Sequence, residues 1–210
     1  MIKIVVGSFD SFGEASQAAS DLRAAGFLDS DVNVVANNVV GDDARIPSAT
    51  KPITADESHA AATGAVAGGA IGGAAGLAVS LMGLAVPGIG AILAAGPIAA
   101  ALAGAGAGAV AGGLIGGLTD LGVSKGDAEY YAEAVRRGGA LVTVRADASR
   151  ADDALAIMHR HGAFDIEDRV QQWQSTGWKG YDPSAKPYTA DEILRDRNRY
   201  TTASESELRG

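Results

Sequence analysis

Two hydrophobic periods alternate at the start of the chain and together predict a β-α-β unit. Residues 2–6 and residues 32–40 are rich in β-branched and other apolar side chains, as strands are. Between them, over residues 11–25, alanine and leucine recur three or four positions apart, which is the period of a helix with one buried face. Ser11 precedes Glu14 by three residues, the spacing of a capping box, and so marks where this helix begins.

The same order of patterns returns in the second half of the chain. Residues 140–144 predict a strand, residues 149–162 a helix with an apolar stripe, and residues 164–170 another strand. Two such units predict an α+β fold with a ferredoxin-like βαβ…βαβ sheet and its helices on one face. The alternative is that the two segments share only the general look of a strand followed by a helix.

A long alanine- and glycine-rich segment separates the two units. Between residues 58 and 119 no side chain carries a formal charge, apart from a protonated His59. We interpret this segment as an inserted antiparallel hairpin of two helices, with Pro87 and Gly88 in its turn. Glycines recur every four residues in both predicted helices, at Gly64, Gly68, Gly72 and Gly76 in the first and at Gly104, Gly108, Gly112 and Gly116 in the second.

The glycine spacing predicts close helix packing, because each glycine inside a helix costs about 1 kcal/mol relative to alanine and needs an offset. Glycines four apart form a groove into which a second helix can press. The sequence leaves three alternatives for this segment. The hairpin packs against other copies of the chain, it inserts into a bilayer, or the segment is poorly ordered. Each predicted helix, at about 38 Å, is long enough for a bilayer core of about 30 Å. Its flanks, however, hold Asp56, Glu57 and Asp120 rather than an aromatic or basic belt.

The last part of the chain is different in kind, being rich in aromatic residues and arginine. Residues 186–192 repeat the Lys-Pro-x-Thr-Ala-Asp-Glu pattern of residues 51–57, and Thr189 is expected to begin a short helix near residues 190–200. Aromatic residues and arginine are enriched where proteins meet partners, so we expect the tail to pack on its own α/β domain or on a neighbouring subunit. The expected contact residues are Trp173, Trp178, Tyr181 and Tyr188.

A polar, aromatic helix over residues 124–137 leads from the insertion back to the second unit. It is either a docking surface for the tail or a helix packed on the sheet with an ion pair between Glu133 and Arg137. We favour the second interpretation. The chain thus divides into a first βαβ half at 1–50, the hairpin insertion at 51–122, a connecting helix and second half at 123–172, and the tail at 173–210.

The charge of the chain excludes some partners. With 17 basic and 25 acidic residues the net charge is −8, which argues against nucleic-acid binding and against attraction to anionic lipid. There is no cysteine, and residues 1–8 lack the features of a secretory signal. We therefore expect a cytoplasmic protein, placed peripherally or integrally at the inner membrane if the hairpin enters lipid.

No pattern in the sequence predicts catalytic, cofactor-binding or metal-binding residues. His159 and His161 are two apart on a helix and face different ways, and no pair of histidines has zinc spacing. The glycine runs lack the lysine and hydroxyl residue of a phosphate loop. We expect a non-enzymatic protein without a cofactor, with an enzyme of unrecognised chemistry as the remaining alternative.

Six stretches of the chain carry a resemblance to a known family: residues 4–9, 22–27, 87–90, 94–102, 128–131 and 135–142. Through them the chain resembles the bacterial general stress or heat-induced stress proteins that carry an Ala/Gly-rich central insertion. The resemblance implies a role in the stress response and no assigned enzymatic activity. We therefore expect a structural stress protein that forms a homo-oligomer or larger assembly through its hairpin. The alternative is a membrane-associated stress protein whose hairpin inserts into the bilayer.

Overall fold

A computed structural model describes residues 1–37, 39, 82–86, 90–95 and 106–207 of the chain. This part is an α+β structure of five strands and six helices. In chain order the elements are β1 (Ile2–Phe9), α1 (Phe12–Ala24), β2 (Val32–Asn37), β3 (Met82–Val86), β4 (Gly90–Ala95), α2 (Gly106–Asp120), α3 (Lys125–Arg136), β5 (Ala140–Asp147), α4 (Ala151–Arg160), α5 (Ile166–Ser175) and α6 (Ala190–Glu207).

The five strands form one antiparallel sheet in the order β1-β5-β2-β4-β3. Strand β5 lies in the middle of the first three strands, with Val144 opposite Val5 of β1 on one side and opposite Val32 of β2 on the other. Strand β4 pairs with the far edge of β2, with Ala95 opposite Val34. The sheet therefore brings together residues from both ends of the chain and from the insertion.

Helices cover both faces of the sheet, because successive side chains of a strand point to opposite faces. On β5, Val142 and Val144 lie in a core cluster with Leu22 of α1 and Met158 of α4. Leu141, the residue before Val142, points to the other face and lies in a second cluster with residues of α2 and α3. Helices α1 and α4 thus share one face, and helices α2 and α3 cover the other.

The first β-α-β unit is as the sequence predicts. The Ser11 hydroxyl accepts a hydrogen bond from the Glu14 amide at 3.3 Å, and the Glu14 carboxylate accepts one from the Ser11 amide at 3.1 Å, so the capping box is present. The predicted strand from residue 140 and the helix that follows it are also confirmed, as β5 and α4.

The predicted strand over residues 164–170 is wrong. Only Phe164 makes a β-bridge, to Ser8, and the chain then enters α5. The reason is that Ile166, Val170 and Trp173 are spaced by four and three residues and bury one face of a helix. Asp165 also caps this helix, since its carboxylate accepts a hydrogen bond from the amide of residue 167 at 2.7 Å.

Next to the predicted turn, the helical prediction is wrong for residues 82–86 and 90–95, which form the antiparallel strands β3 and β4 with Val86 opposite Gly90. Pro87 and Gly88, the predicted turn residues, lie outside the described residues. A short apolar run beside a Pro-Gly turn fits a buried strand as well as a helix, and here the free edge of β2 supplies hydrogen-bond partners. The insertion therefore contributes two strands to the sheet.

The later part of the insertion is helical, as predicted, and forms α2. Gly108, Gly112 and Gly116 lie in this helix. No described helix is both long enough and apolar enough to cross a membrane. Of the remaining predicted packing glycines, Gly64, Gly68, Gly72, Gly76 and Gly104 lie outside the described residues.

Candidate functional site

A dense cluster of polar side chains lies at the C-terminal end of α3, around the buried carboxylate of Glu133. This side chain is fully buried, with 0% exposure. Its two oxygens accept hydrogen bonds from Nε and Nη2 of Arg136, both at 2.8 Å, and from Nε of Arg137 at 2.7 Å. The helix places these residues on one face because they are three and four positions apart. Bonds between charged partners of this kind are the stronger class of protein hydrogen bond.

The tail supplies the fourth member of this cluster. Nη1 of Arg137 donates to the Asp196 carboxylate at 3.0 Å, so two carboxylates and two guanidinium groups alternate in a buried network. Burial acts to lower the pKa of Arg137, but Glu133 and Asp196 raise it more, and the net shift is upward from the usual arginine value. Arg137 therefore stays charged and its bonds persist across the physiological pH range.

Aromatic rings from α5 and the tail enclose these arginines. Arg137 lies 4.8 Å from the ring centre of Trp173 and 5.2 Å from that of Tyr188, and Arg136 lies 5.1 Å from Tyr188. The Trp178 ring meets Trp173 edge-on at 5.4 Å. Three of the four predicted tail residues, Trp173, Trp178 and Tyr188, are thus brought together.

The fourth predicted tail residue, Tyr181, lies in the segment between α5 and α6 and makes a different contact. Tyr181 packs against the cluster formed by α2, α3 and the sheet. Burial raises the pKa of Tyr181 and that of Tyr188, because each ring is held away from water. The tail therefore contacts α3 over two patches rather than one.

Helix α6 docks on its own α/β domain. It begins as predicted: the Thr189 hydroxyl accepts from the Glu192 amide at 3.4 Å, and the Glu192 carboxylate accepts from the Thr189 amide at 2.8 Å. It then runs further than expected, to residue 207. Its fully buried Ile193 rests on Gly138, which ends α3 with a left-handed φ of 99°. Helix α3 is thus the docking surface for the tail and also carries the Glu133–Arg137 ion pair.

A cleft of about 370 Å³ opens between α6 and the turn that follows α5. Arginine and aromatic side chains dominate its walls, and the turn contributes Gly177 with its φ of 96°. The residues that line it are Arg137, Thr176, Gly177, Trp178, Tyr188, Glu192, Arg195, Asp196 and Arg199.

The glycine row of α2 is a second surface of interest. Leu114 and Leu118 are fully buried against the sheet. A residue two positions away on a helix points about 200° around the axis, so Gly116 lies on the opposite side. A Cβ atom built on Gly116 would have no neighbour within 4 Å. Gly116 therefore faces away from the sheet.

Two ionic contacts between distant residues are not predicted from the sequence. The Asp196 partner of Arg137 is one, and the pair between Arg169 of α5 and Asp10, with bonds of 2.7 and 3.1 Å, is the other. Neither has a local spacing that could reveal it, although an arginine pair beside a glutamate on an otherwise apolar helix face is a signal for a buried partner. His161 pairs with the Asp21 carboxylate at 2.8 Å on the surface.

The described part of the chain contains no group of three or more potential ligands arranged to hold a metal ion. No family model, no curated protein and no solved structure matches this chain.

Proposed function

We propose that this chain is a structural protein that self-assembles through the glycine row of α2. The observation that carries the proposal is the two-sided character of this helix. Leu114 and Leu118 bind it to the sheet, whereas Gly116, on the opposite side, has open space beside its Cα. A second helix has room to approach the backbone on that side.

Energetics support a role for this row. Helix α2 contains six glycines in its 15 residues, which together cost about 6 kcal/mol relative to alanine. The leucine contacts with the sheet would form equally well with alanine at the outer positions. Close approach of another helix returns part of the loss through dispersion contacts and Cα–H···O bonds along the whole row.

The partner helix that we propose belongs to a second copy of the chain, which gives a homo-oligomer or larger assembly. On the resemblance to general stress proteins with an Ala/Gly-rich insertion, we propose that this assembly acts in the stress response, in the cytoplasm, without enzymatic activity. The rival form of the proposal, insertion of the Ala/Gly-rich segment into the inner membrane, is separated from it by the experiment below.

We further propose that the α/β part is a variant of the ferredoxin-like arrangement. Three features support this: the flanking of β5 by β1 and β2, the shared face of α1 and α4, and the bridge of Phe164 to the outer edge of β1 at Ser8. In this interpretation the fourth strand is reduced to a single bridge, because α5 takes up the residues that would extend it.

The test compares the wild-type protein with Gly116→Ala and Gly116→Leu. We expect wild type to form particles larger than one chain in size-exclusion chromatography with light scattering, without detergent. Alanine should reduce particle size partly and leucine fully, because the larger side chain holds the helices further apart. Thermal melting of the single chain should change little, since open space surrounds this position.

Three results would contradict the proposal. They are a wild-type protein that is monomeric at all concentrations, a leucine variant that assembles like wild type, and a wild-type protein that sediments with membranes and resists carbonate extraction. The last result would favour the inserted form instead.

A further inference from the structure

The cleft beside α6 has walls from three separate parts of the chain. The end of α3 provides Arg137, the turn after α5 provides Trp178, and the tail provides Tyr188 together with Arg195 and Arg199 of α6. Its volume of about 370 Å³ is within the usual range for small-molecule pockets. The hydrogen bonds and ring contacts described above would not by themselves need an open cleft of this volume beside α6.

The charged groups in the cleft are unequally committed. One Glu192 oxygen accepts bonds from the amide and the hydroxyl of Thr189, and the Asp196 carboxylate accepts from Arg137. Arg199 is 67% exposed and reaches Asp196 only at 3.9 Å. The pKa of Glu192 is lowered first by its hydrogen bonds from Thr189 and further by the nearby charge of Arg195, whose own side chain is exposed. The carboxylates thus accept hydrogen bonds from groups of the protein, whereas the two guanidinium groups, one turn apart on α6, are largely exposed and line the cleft.

Two aromatic rings of the cleft are held firmly in place. Trp178 packs edge-on against Trp173 at 5.4 Å and against Tyr130 at 6.1 Å. The Tyr188 ring is fixed by Arg136 and Arg137, whose cations lie about 5 Å from its centre. Rings fixed by packing lose little freedom when a ligand binds, so they are suited to contact another flat ring.

We propose that this cleft binds a small anion that carries a flat ring, with Arg195 and Arg199 holding the anionic group and Trp178 and Tyr188 contacting the ring. A guanidinium matches a phosphate or a carboxylate equally through paired N–H bonds. The shared chemistry is therefore an oxyanion attached to an aromatic or heteroaromatic ring. This site is independent of the glycine row of α2.

The probes are adenosine 5′-monophosphate for a phosphate and indole-3-acetate for a carboxylate, with adenosine and inorganic phosphate as the separate halves of the first. Binding to the full-length protein is measured by calorimetry in about 0.15 M salt, which screens exposed charges. We expect saturable binding of one or both anionic ring compounds, and binding at least tenfold weaker for adenosine and for phosphate. The tighter of the two anionic compounds identifies the oxyanion.

The variant Arg195→Gln/Arg199→Gln should weaken binding of the better probe at least tenfold. The matched control is Arg145→Gln/Arg160→Gln, which removes the same charge from exposed positions away from the cleft and should bind like wild type. Trp178→Phe keeps the packing of the ring and should weaken binding only a few fold.

Absence of saturable binding for both anionic compounds would overturn the proposal. So would equal loss in the two double variants, because binding would then depend on net charge alone. Equal affinity for phosphate and adenosine 5′-monophosphate would remove the role of the rings and overturn it as well. None of these outcomes changes the particle size that tests self-assembly through α2.

Discussion

At the scale of single residues, the burial of Glu133 is the most consequential feature of the described structure. A fully buried carboxylate survives only when charged donors replace the water it loses, and Arg136 and Arg137 provide three such bonds. Asp196 then balances the second arginine. The network therefore makes the stability of α3 depend on a residue of the tail.

Replacement of Glu133 with glutamine tests this dependence. The amide keeps the shape but leaves two buried guanidinium groups with one carboxylate between them, and we expect a loss of about 3–5 kcal/mol in the free energy of unfolding. The control is Glu129→Gln on the same helix. Glu129 pairs with Lys125 on the surface at 3.8 Å, so this variant should lower the free energy of unfolding by less than about 1 kcal/mol. Urea unfolding followed by circular dichroism measures both. Similar values for the two variants would show that Glu133 is not part of a buried network.

At the scale of elements, the sequence predicts best where local signals agree. Helix α1 has a capping box, an apolar stripe and a helix-ending glycine, and all three are present in the structure. For α5 the signals conflict, because the similarity between the two halves of the chain predicts a strand and the spacing of Ile166, Val170 and Trp173 predicts a helix. The structure follows the helical spacing, so the internal repeat is the weaker signal.

Long-range partners account for the other errors in the predicted elements. Strands β3 and β4 exist because β2 has a free edge, which no local pattern reveals. In the candidate site, the cap at Thr189 and the aromatic contacts of the tail were predictable, since both follow from residue type and short spacing. The ion pair between Asp196 and Arg137 was not predictable, because it joins residues 59 positions apart.

The junction between α3 and α6 allows a matched test of tail docking. Gly138 and Gly122 both end helices with φ near 100°, so alanine at either position costs about 1–2 kcal/mol in backbone strain. At Gly138 the new methyl group would also overlap Ile193, whereas at Gly122 it would have no neighbour within 4 Å. We expect Gly138→Ala to lose about 1–3 kcal/mol more than Gly122→Ala, from overpacking. The comparison uses thermal melting, with hydrogen exchange of α6 amides to locate the loss. If both variants melt alike and α6 stays equally protected, the tail is not docked on Gly138.

At the scale of the whole molecule, the sheet lies between two layers of helices, and the two proposed contact surfaces lie in different places on this structure. One face of the sheet is closed by α1 and α4, and the other by α2 and α3. The tail packs on the end of α3, and Gly116 of α2 is turned outward. Assembly through that row would leave the cleft beside α6 untouched, because the two surfaces have no lining residue in common.

The net charge of the chain determines how particle size should respond to salt, and this response differs between an uncharged contact and a contact made of ion pairs. Each copy carries a net charge of −8, so copies repel one another when they approach. The proposed contact itself is uncharged, since residues 106–119 hold no ionisable side chain. Raising sodium chloride from about 0.05 M to about 0.5 M shortens the Debye length from about 14 Å to about 4 Å and weakens the repulsion. The glycine contact is unaffected by screening.

We therefore expect particle size, measured by light scattering at fixed protein concentration, to stay constant or to grow as salt increases. The Gly116→Leu variant, which carries the same net charge, should remain small at every salt concentration. An assembly of wild type that dissociates as salt rises would be held by ion pairs between copies, because screening weakens exposed pairs of opposite charge. In that case the uncharged face of α2 would not be the contact, and the search for it would move to the charged surfaces of α3 and α6.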